Sequence, residues 1–273
     1  MSASQPDALA QRQFAHGYGR IIWPVLAPAA FLLFWWAVTR NDTGGLIPPP
    51  MEVGRAIWDL AGGGLNDDAF SGMLLTHLLA SASRVYGGFV LAALAALPIG
   101  MLIGRVPAVS AALEPAFQLL RPVPVTAWLP LAMILFGIGP KSAFFLVFLG
   151  AFYPILVNTI FGVRSVDPRL FEAASMLGAS RASMFPKVVL PASLPSIFTG
   201  LRLGLGFAWV VIVVGEMTGV QTGLGAMIMD ARQLSRTEIV IAGMVVIGLA
   251  GFVSDQIVQW AGRKALAWSP QHG

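Results

Sequence analysis

The sequence predicts an all-α membrane protein with about six transmembrane helices, on three observations. Hydrophobic residues make up 56% of the 273 and charged residues 11%, against about 25% charged in a soluble globular domain. So few charges cannot build a wetted surface. Apolar runs of about 20 residues, the length that crosses a hydrocarbon core of about 30 Å, recur along the chain. Lys and Arg gather in the connections between those runs, as they do on the inner side of membrane proteins.

Other classes are disfavoured by the same composition. The chain has no cysteine, which removes disulfides, thiolate metal sites and thiol nucleophiles. His16, His77 and His272 lie far apart and give no metal cluster. The net charge is +4, but the basic residues are scattered singly except for Arg263-Lys264, with no basic helix or aromatic platform. That pattern argues against a nucleic-acid partner.

Residues 1–20 are polar and form a cytoplasmic N-terminal segment, and 21–262 form the membrane domain. The first span, Ile21–Val38, is too long for the apolar region of a signal peptide and carries Phe34-Trp35-Trp36 as an interface anchor. The 39–69 stretch is rich in Gly, Pro and Asp, which makes it an external loop with one short helix, Met51–Leu60, where Val53, Ala56, Ile57 and Leu60 recur at helical spacing.

The second span is Val85–Gly104, with Arg84 at its boundary. The third lies within Val109–Ile138 and is broken by Pro122, Pro124 and Pro130. A Gly137–Lys141 turn leads to the fourth, Ser142–Val163. A cytoplasmic loop, 164–192, precedes the fifth, Leu194–Val214. A Gly-rich loop then leads to the sixth, Ile239–Trp260, and 263–273 form a cytoplasmic tail. With six spans the side holding the termini has nine Lys and Arg (Arg12, Arg20, Arg105, Arg164, Arg169, Arg181, Lys187, Arg263, Lys264) against five on the other (Arg40, Arg55, Lys141, Arg232, Arg236). Cytoplasmic termini follow.

The 164–192 loop is unlike an ordinary polar connector. Asp167 is a helix N-cap with Pro168 at the first helical position. Leu170, Ala173, Ala174 and Leu177 share a face, and Gly178 fits a helix terminator. A second short helix, Ser180–Val189, should end before Pro191. The alanines admit close approach of another backbone, and Glu172 can reach a donor on a partner, so the loop has the form of a docking element.

Glu172-Ala173-Ala174, Gly178, Val188 and Leu190-Pro191 resemble the EAA loop of ATP-binding-cassette importer permeases, with Val188 where that family more often has Ile. Ile47-Pro48-Pro49-Pro50, Leu120-Arg121-Pro122-Val123-Pro124, Ala127-Trp128-Leu129-Pro130-Leu131 and Gly200-Leu201-Arg202 look like its nitrate, sulfonate, taurine and bicarbonate branch. The resemblance covers roughly residues 45–262. It implies type I importer permease architecture in a bacterial inner membrane and import of a small anionic solute. It further implies a second permease copy as a homodimer partner, cytoplasmic ATPase subunits carrying ATP-Mg, and an extracytoplasmic solute-binding protein. In that reading Glu172, Ala173, Ala174, Gly178, Ala179, Leu190 and Pro191 couple the permease to the ATPase. The chain itself is expected to bear no cofactor or metal and no catalytic residue. Its nearest phosphate-loop look-alike, Gly137–Ser142, lacks the Gly before Lys141 and falls in an interhelical turn.

Five residues are candidates for the solute path. Arg121 should lie roughly 18 Å into the third span at 1.5 Å per residue, beside two prolines that free carbonyls where a cavity can be lined. It is either an anion contact, the partner of Glu114, or a snorkelling cation. Trp128, Tyr153 and Asn158 are polar or aromatic interruptions, with interhelical packing as the alternative. Glu216 is a gate or substrate residue or else an interface residue, and Arg202 an interfacial anchor or a loop brace. The rival function, a stand-alone ion-coupled transporter, would want a relay of intramembrane acids. Glu114 and Glu216 are the candidates for it, well separated along the chain, with Asp255 in the last turns of the sixth span.

Overall fold

A computed structural model describes residues 26–40, 47–64 and 69–267. Among these every regular element is helical. Proline at the first turn opens most of the early ones, because its missing N–H is an orphan there in any case. The elements are α1 (Leu26–Thr39), α2 (Pro50–Gly62), α3 (Leu74–Arg105), α4 (Pro107–Leu120), a 3₁₀ turn (Val125–Trp128), α5 (Leu129–Phe136), α6 (Pro140–Arg164), α7 (Pro168–Met176), α8 (Arg181–Met184), a π segment (Phe185–Val189), α9 (Leu190–Glu216), α10 (Leu224–Gln233) and α11 (Thr237–Ala265).

Helix α6 lies between α3 and α9, and small residues set the spacing. A Cβ on Gly100 of α3 would sit 2.8 Å from Thr159 Cβ, and one on Gly200 of α9 would sit 2.7 Å from Asn158 Cβ, so these backbones approach as only glycine allows. The register of the contacts gives the directions. Gly88, Gly100 and Gly104 of α3 meet Val147, Thr159 and Val163 of α6, a constant offset, so α3 and α6 run parallel. Gly162, Gly204 and Gly215 meet Ser196, Ile155 and Ala143, so α9 is antiparallel to α6. Gly251 and Gly262 of α11 meet Trp209 and Phe198, so α11 is antiparallel to α9.

Helices α3, α6, α8–α9 and α11 are each long and apolar enough to cross a membrane. The third span departs from a broken but straight rod. Helix α4 and the Val125–Phe136 segment meet at 92°, because Pro122 and Pro124 have no N–H to continue the ladder from Leu120. Since α3 and α6 are parallel, this bent pair must return the chain from the Arg105 end to the Pro140 end. With the bent pair as one crossing the described residues hold five, and α1 is a shorter apolar helix. The start of the expected first span, residues 21–25, lies outside the described residues.

The second short cytoplasmic helix, expected to stop before Pro191, continues instead. A single helical run extends from Ala182 to Glu216, because the Leu190 N–H bonds the Phe185 carbonyl. This i→i−5 bond absorbs the Pro186 gap as a π-bulge. The 215–236 loop also contains a helix, α10, whose Leu224 N–H bonds Ser81 Oγ at 2.8 Å. Helix α2 spans the expected Met51–Leu60 and buries Val53, Ala56 and Leu60. Both α2 and α10 sit at the end of the bundle where α3 begins, and α7 at the opposite end.

Candidate functional site

The 164–192 loop forms a compact projection. Asp167 accepts the Arg169 N–H at 2.9 Å, the expected N-cap with Pro168 at the first position. At the other end Ala179 N–H bonds Ala174 O and Gly178 N–H bonds Ser175 O, both at 3.0 Å. Gly178 has φ +80. Paired bonds around a left-handed glycine make a Schellman cap, so α7 is closed at both ends by its own sequence.

One residue of α7 holds it to the bundle. Phe171 packs against a buried cluster of Val163, Val166 and Val189, and the Arg105 guanidinium lies over its ring at 5.6 Å, a cation–π contact. The rest of α7 faces outward: Glu172 and Ala173 are exposed, Ala174 is half-buried, and Met176 and Leu177 are each 88% exposed. Exposed apolar side chains of this size on a fixed helix mark a contact surface. Ala179, Leu190 and Pro191 are half-buried behind it, at the root of the α8–α9 run. The Phe171 anchor was not legible, since nothing in one sequence links it to Arg105.

On the membrane side, Arg121, Trp128 and Tyr153 come together in one cleft of about 310 Å³, with Phe117, Phe152 and Phe207 among its walls. Arg121 ends α4 at the corner of the bend, not within a straight span, and it is exposed. It has no ion-pair partner among the described residues. The postulated Glu114 partner is engaged elsewhere: Arg164 donates to both Glu114 oxygens, at 3.1 and 2.7 Å, and to Ser110 Oγ at 2.9 Å. Phe117 and Phe152 of this cleft begin a run of ring contacts that continues through Phe148, Phe145 and Phe136, with centroids 5.1–6.5 Å apart, the last three lining a second hollow. The Phe145, Phe148, Phe152 spacing is helical and was a legible signal. This larger hollow, about 560 Å³, is mostly apolar and has two cations on its lining, Arg84, which is bound to Glu216, and the exposed Lys141.

Two path candidates fall elsewhere. Asn158 lies outside the cleft; its Nδ2 donates to Pro154 O at 2.8 Å and its Cβ abuts Gly200, so packing accounts for it. Glu216 is not an interface residue. It is 1% exposed and accepts from Arg84 Nη1 at 2.6 Å, Ser81 Oγ at 2.7 Å and Gly225 N–H at 3.0 Å. A Cβ on Gly223 would come within 2.6 Å of its carboxylate, so glycine there leaves the room. With all these donors filled, Glu216 fastens α10 to α3 and α9. Arg202 braces α9 to α11 by a bidentate pair with Asp255, both bonds 2.8 Å. Each carboxylate of the postulated relay is thus held by an arginine. Of the Gly137–Ser142 stretch, residues 137–139 form the turn between α5 and α6, with Gly137 and Gly139 at positive φ, and the rest opens α6.

The sequence matches the family described as binding-protein-dependent transport system inner membrane component over residues 96–266. A putative ABC transporter permease of Methanocaldococcus jannaschii is 45% identical over 72% of this chain and 74% of its own. A putative aliphatic sulfonates transport permease of Bacillus subtilis is 38% identical over 89% of this chain and 86% of its own. The taurine transport system permease of Escherichia coli is 37% identical over 88% and 87%. Among solved structures, an inward-facing MetNI methionine ABC transporter chain superposes with TM-score 0.53 at 18% identity, covering 66% of this chain and 92% of that one, which supports the fold.

Proposed function

From the premise that this chain belongs to the family of binding-protein-dependent transport system inner membrane components, the multi-pass permeases of ABC transporters, we propose the following more specific reading. The chain forms, with a second copy of itself, the path by which a small anion of the sulfonate, taurine, nitrate or bicarbonate kind enters the cell. Cytosolic ATPase subunits bind ATP-Mg and dock on α7 through Glu172, Ala173, Ala174 and Gly178. An extracytoplasmic binding protein delivers the solute to the α2 and α10 end. The permease contributes no covalent chemistry; it is a two-state element biased by nucleotide at one end and loaded binding protein at the other.

The observation that carries the reading is α7 itself: a short helix capped at both ends, anchored by Phe171 and otherwise offered to solution. Arg121 adds the anion preference, as a cation in an aromatic cleft with no carboxylate partner among the described residues. The sulfonate relatives support the same class of solute. The ion-coupled alternative has nothing in its favour, since the carboxylates it needs are tied to Arg84, Arg164 and Arg202.

Reconstitution tests the reading. Proteoliposomes holding the permease with its ATPase should accumulate a labelled alkanesulfonate only with ATP inside the nucleotide-accessible compartment and loaded binding protein on the other face. Uptake driven by a proton or sodium gradient without ATPase subunits would sink it.

A further inference from the structure

We infer that the Glu114–Arg164 pair is a transmission clamp that sets the position of Arg121 according to the position of α7. This inference rests on the reading of α7 as the ATPase contact. Arg164 is the last residue of α6, three residues before the Asp167 cap of α7. The link between them is stiff. Ser165 N–H bonds Phe161 O at 2.9 Å, and Val166 is buried with Val163 and Val189. A displacement of α7 therefore moves the α6 terminus with it.

On its other side Arg164 grips α4, donating to both oxygens of Glu114 and to Ser110 Oγ. Helix α4 has no buried residue of its own and meets the core through the half-buried Val109 and Phe117, so the grip adds a polar hold near its middle. Besides its covalent ends it meets α6 through the Phe117–Phe152 ring contact at 6.0 Å. Seven residues beyond Glu114, at the end of α4, stands Arg121. Glu114, Arg121 and Arg164 line one continuous hollow of about 250 Å³ with Tyr153.

The pair is partly exposed, with side chains 42% and 28% accessible. An ion pair of that kind adds little to static stability, but it can part and reform without stranding a buried charge. Its geometry therefore suits a switch. Glu114 and Arg164 act as positioning residues, holding α4, and so Arg121, in register with the coupling loop.

The test is a double-mutant cycle of Glu114→Gln, Arg164→Gln and both together, in the complete transporter. The readout is solute imported per ATP hydrolysed, with ATPase co-purification scored in parallel. Each single variant should keep the ATPase bound yet lose roughly fivefold or more of the import-to-hydrolysis ratio, the lower end of a typical coupling energy. The double variant should lose no more than either single, because the two side chains act as one device, whereas Glu114→Asp, which keeps the charge, should recover most of the ratio. Should a single variant fail to insert, the double variant, which leaves no unpaired charge, decides in its place. An unchanged ratio, losses that multiply in the double variant, or release of the ATPase would each overturn the clamp. Failure of the α7 reading shows separately, as an ATPase that stays bound and stimulated when Glu172 and Gly178 are changed.

Discussion

Arg121 is the residue at which charge can be separated from shape. Replacing it by Ala removes the cation from the cleft without touching a buried contact, so the transporter should still assemble. A charge-assisted hydrogen bond is worth about 1.5–3 kcal/mol, so uptake should fall roughly ten- to hundredfold at 1.4 kcal/mol per decade. Arg121→Lys should retain part of the rate, keeping the charge but not the planar fork. Uptake measured per assembled complex checks this, and an Ala variant with wild-type uptake would remove Arg121 from the path. Glu216 should behave oppositely. Glu216→Ala strands the nearly buried Arg84 and leaves Ser81 and Gly225 N–H unanswered, a loss of about 3–5 kcal/mol of stability. It should lower the thermal unfolding midpoint in detergent well before transport can be assayed; an unshifted midpoint would contradict the network. Why these two carboxylate-and-arginine roles were not fully legible is plain from the pairings. An ionisable residue in a span requires a partner, but Arg84 precedes Glu216 by 132 residues and Glu114 precedes Arg164 by 50. Sequence alone gives no rule for choosing among several arginines, so Glu114 was open to Arg121 and Glu216 to an interface.

At the scale of the element, α7 was the most legible part of the molecule because its determinants are local. Asp167, Pro168 and Gly178 cap it within a dozen residues, and no distant contact is needed to see that. Helices α8 and α9 were read less well for the complementary reason. Pro191 signals a helix end locally, yet the π segment at Phe185–Val189 and the packing of α9 on α6 carry the helix through. Gly178→Val tests the cap. Open space surrounds the position, so the valine is not blocked sterically by neighbours. The cost is backbone alone, about 1–2 kcal/mol for a non-glycine residue in the left-handed region, and worse for a β-branched one. The Schellman bonds should loosen and Met176 and Leu177 turn away from the docking face. Glu172→Lys reverses whatever charge-assisted bond that side chain makes, costing about 1.5–3 kcal/mol of docking energy. Both variants should insert normally but lose the ATPase on purification or lose binding-protein-stimulated hydrolysis. Full association and stimulation in both would show that α7 is not the coupling element.

For the molecule as a whole, the decisive geometric fact is that α3 and α6 run parallel, with the Gly88, Gly100 and Gly104 contacts advancing in step with Val147, Thr159 and Val163. Parallel spans need a return crossing, and only the bent α4–α5 pair can supply it. Five crossings, α3, α4–α5, α6, α9 and α11, therefore separate α2 from the C-terminal end of α11. Among the described residues Arg105, Arg164, Arg169, Arg181, Lys187, Arg263 and Lys264 belong to the α7 end, against Arg40, Arg55, Lys141, Arg232 and Arg236 at the other. From that bias we predict that the α7 end is cytoplasmic, the side on which ATP is found. Single cysteines decide it, and the chain has none of its own to remove. Arg55→Cys on the exposed side of α2 should react with a membrane-impermeant maleimide in intact cells. Ala267→Cys, just past α11, should react only after permeabilisation. Reversed reactivity would invert the molecule and place α7 where no ATPase can reach it. Labelling of both from one side would mean that the bent pair dips into the membrane and returns, which the parallel packing of α3 and α6 does not permit.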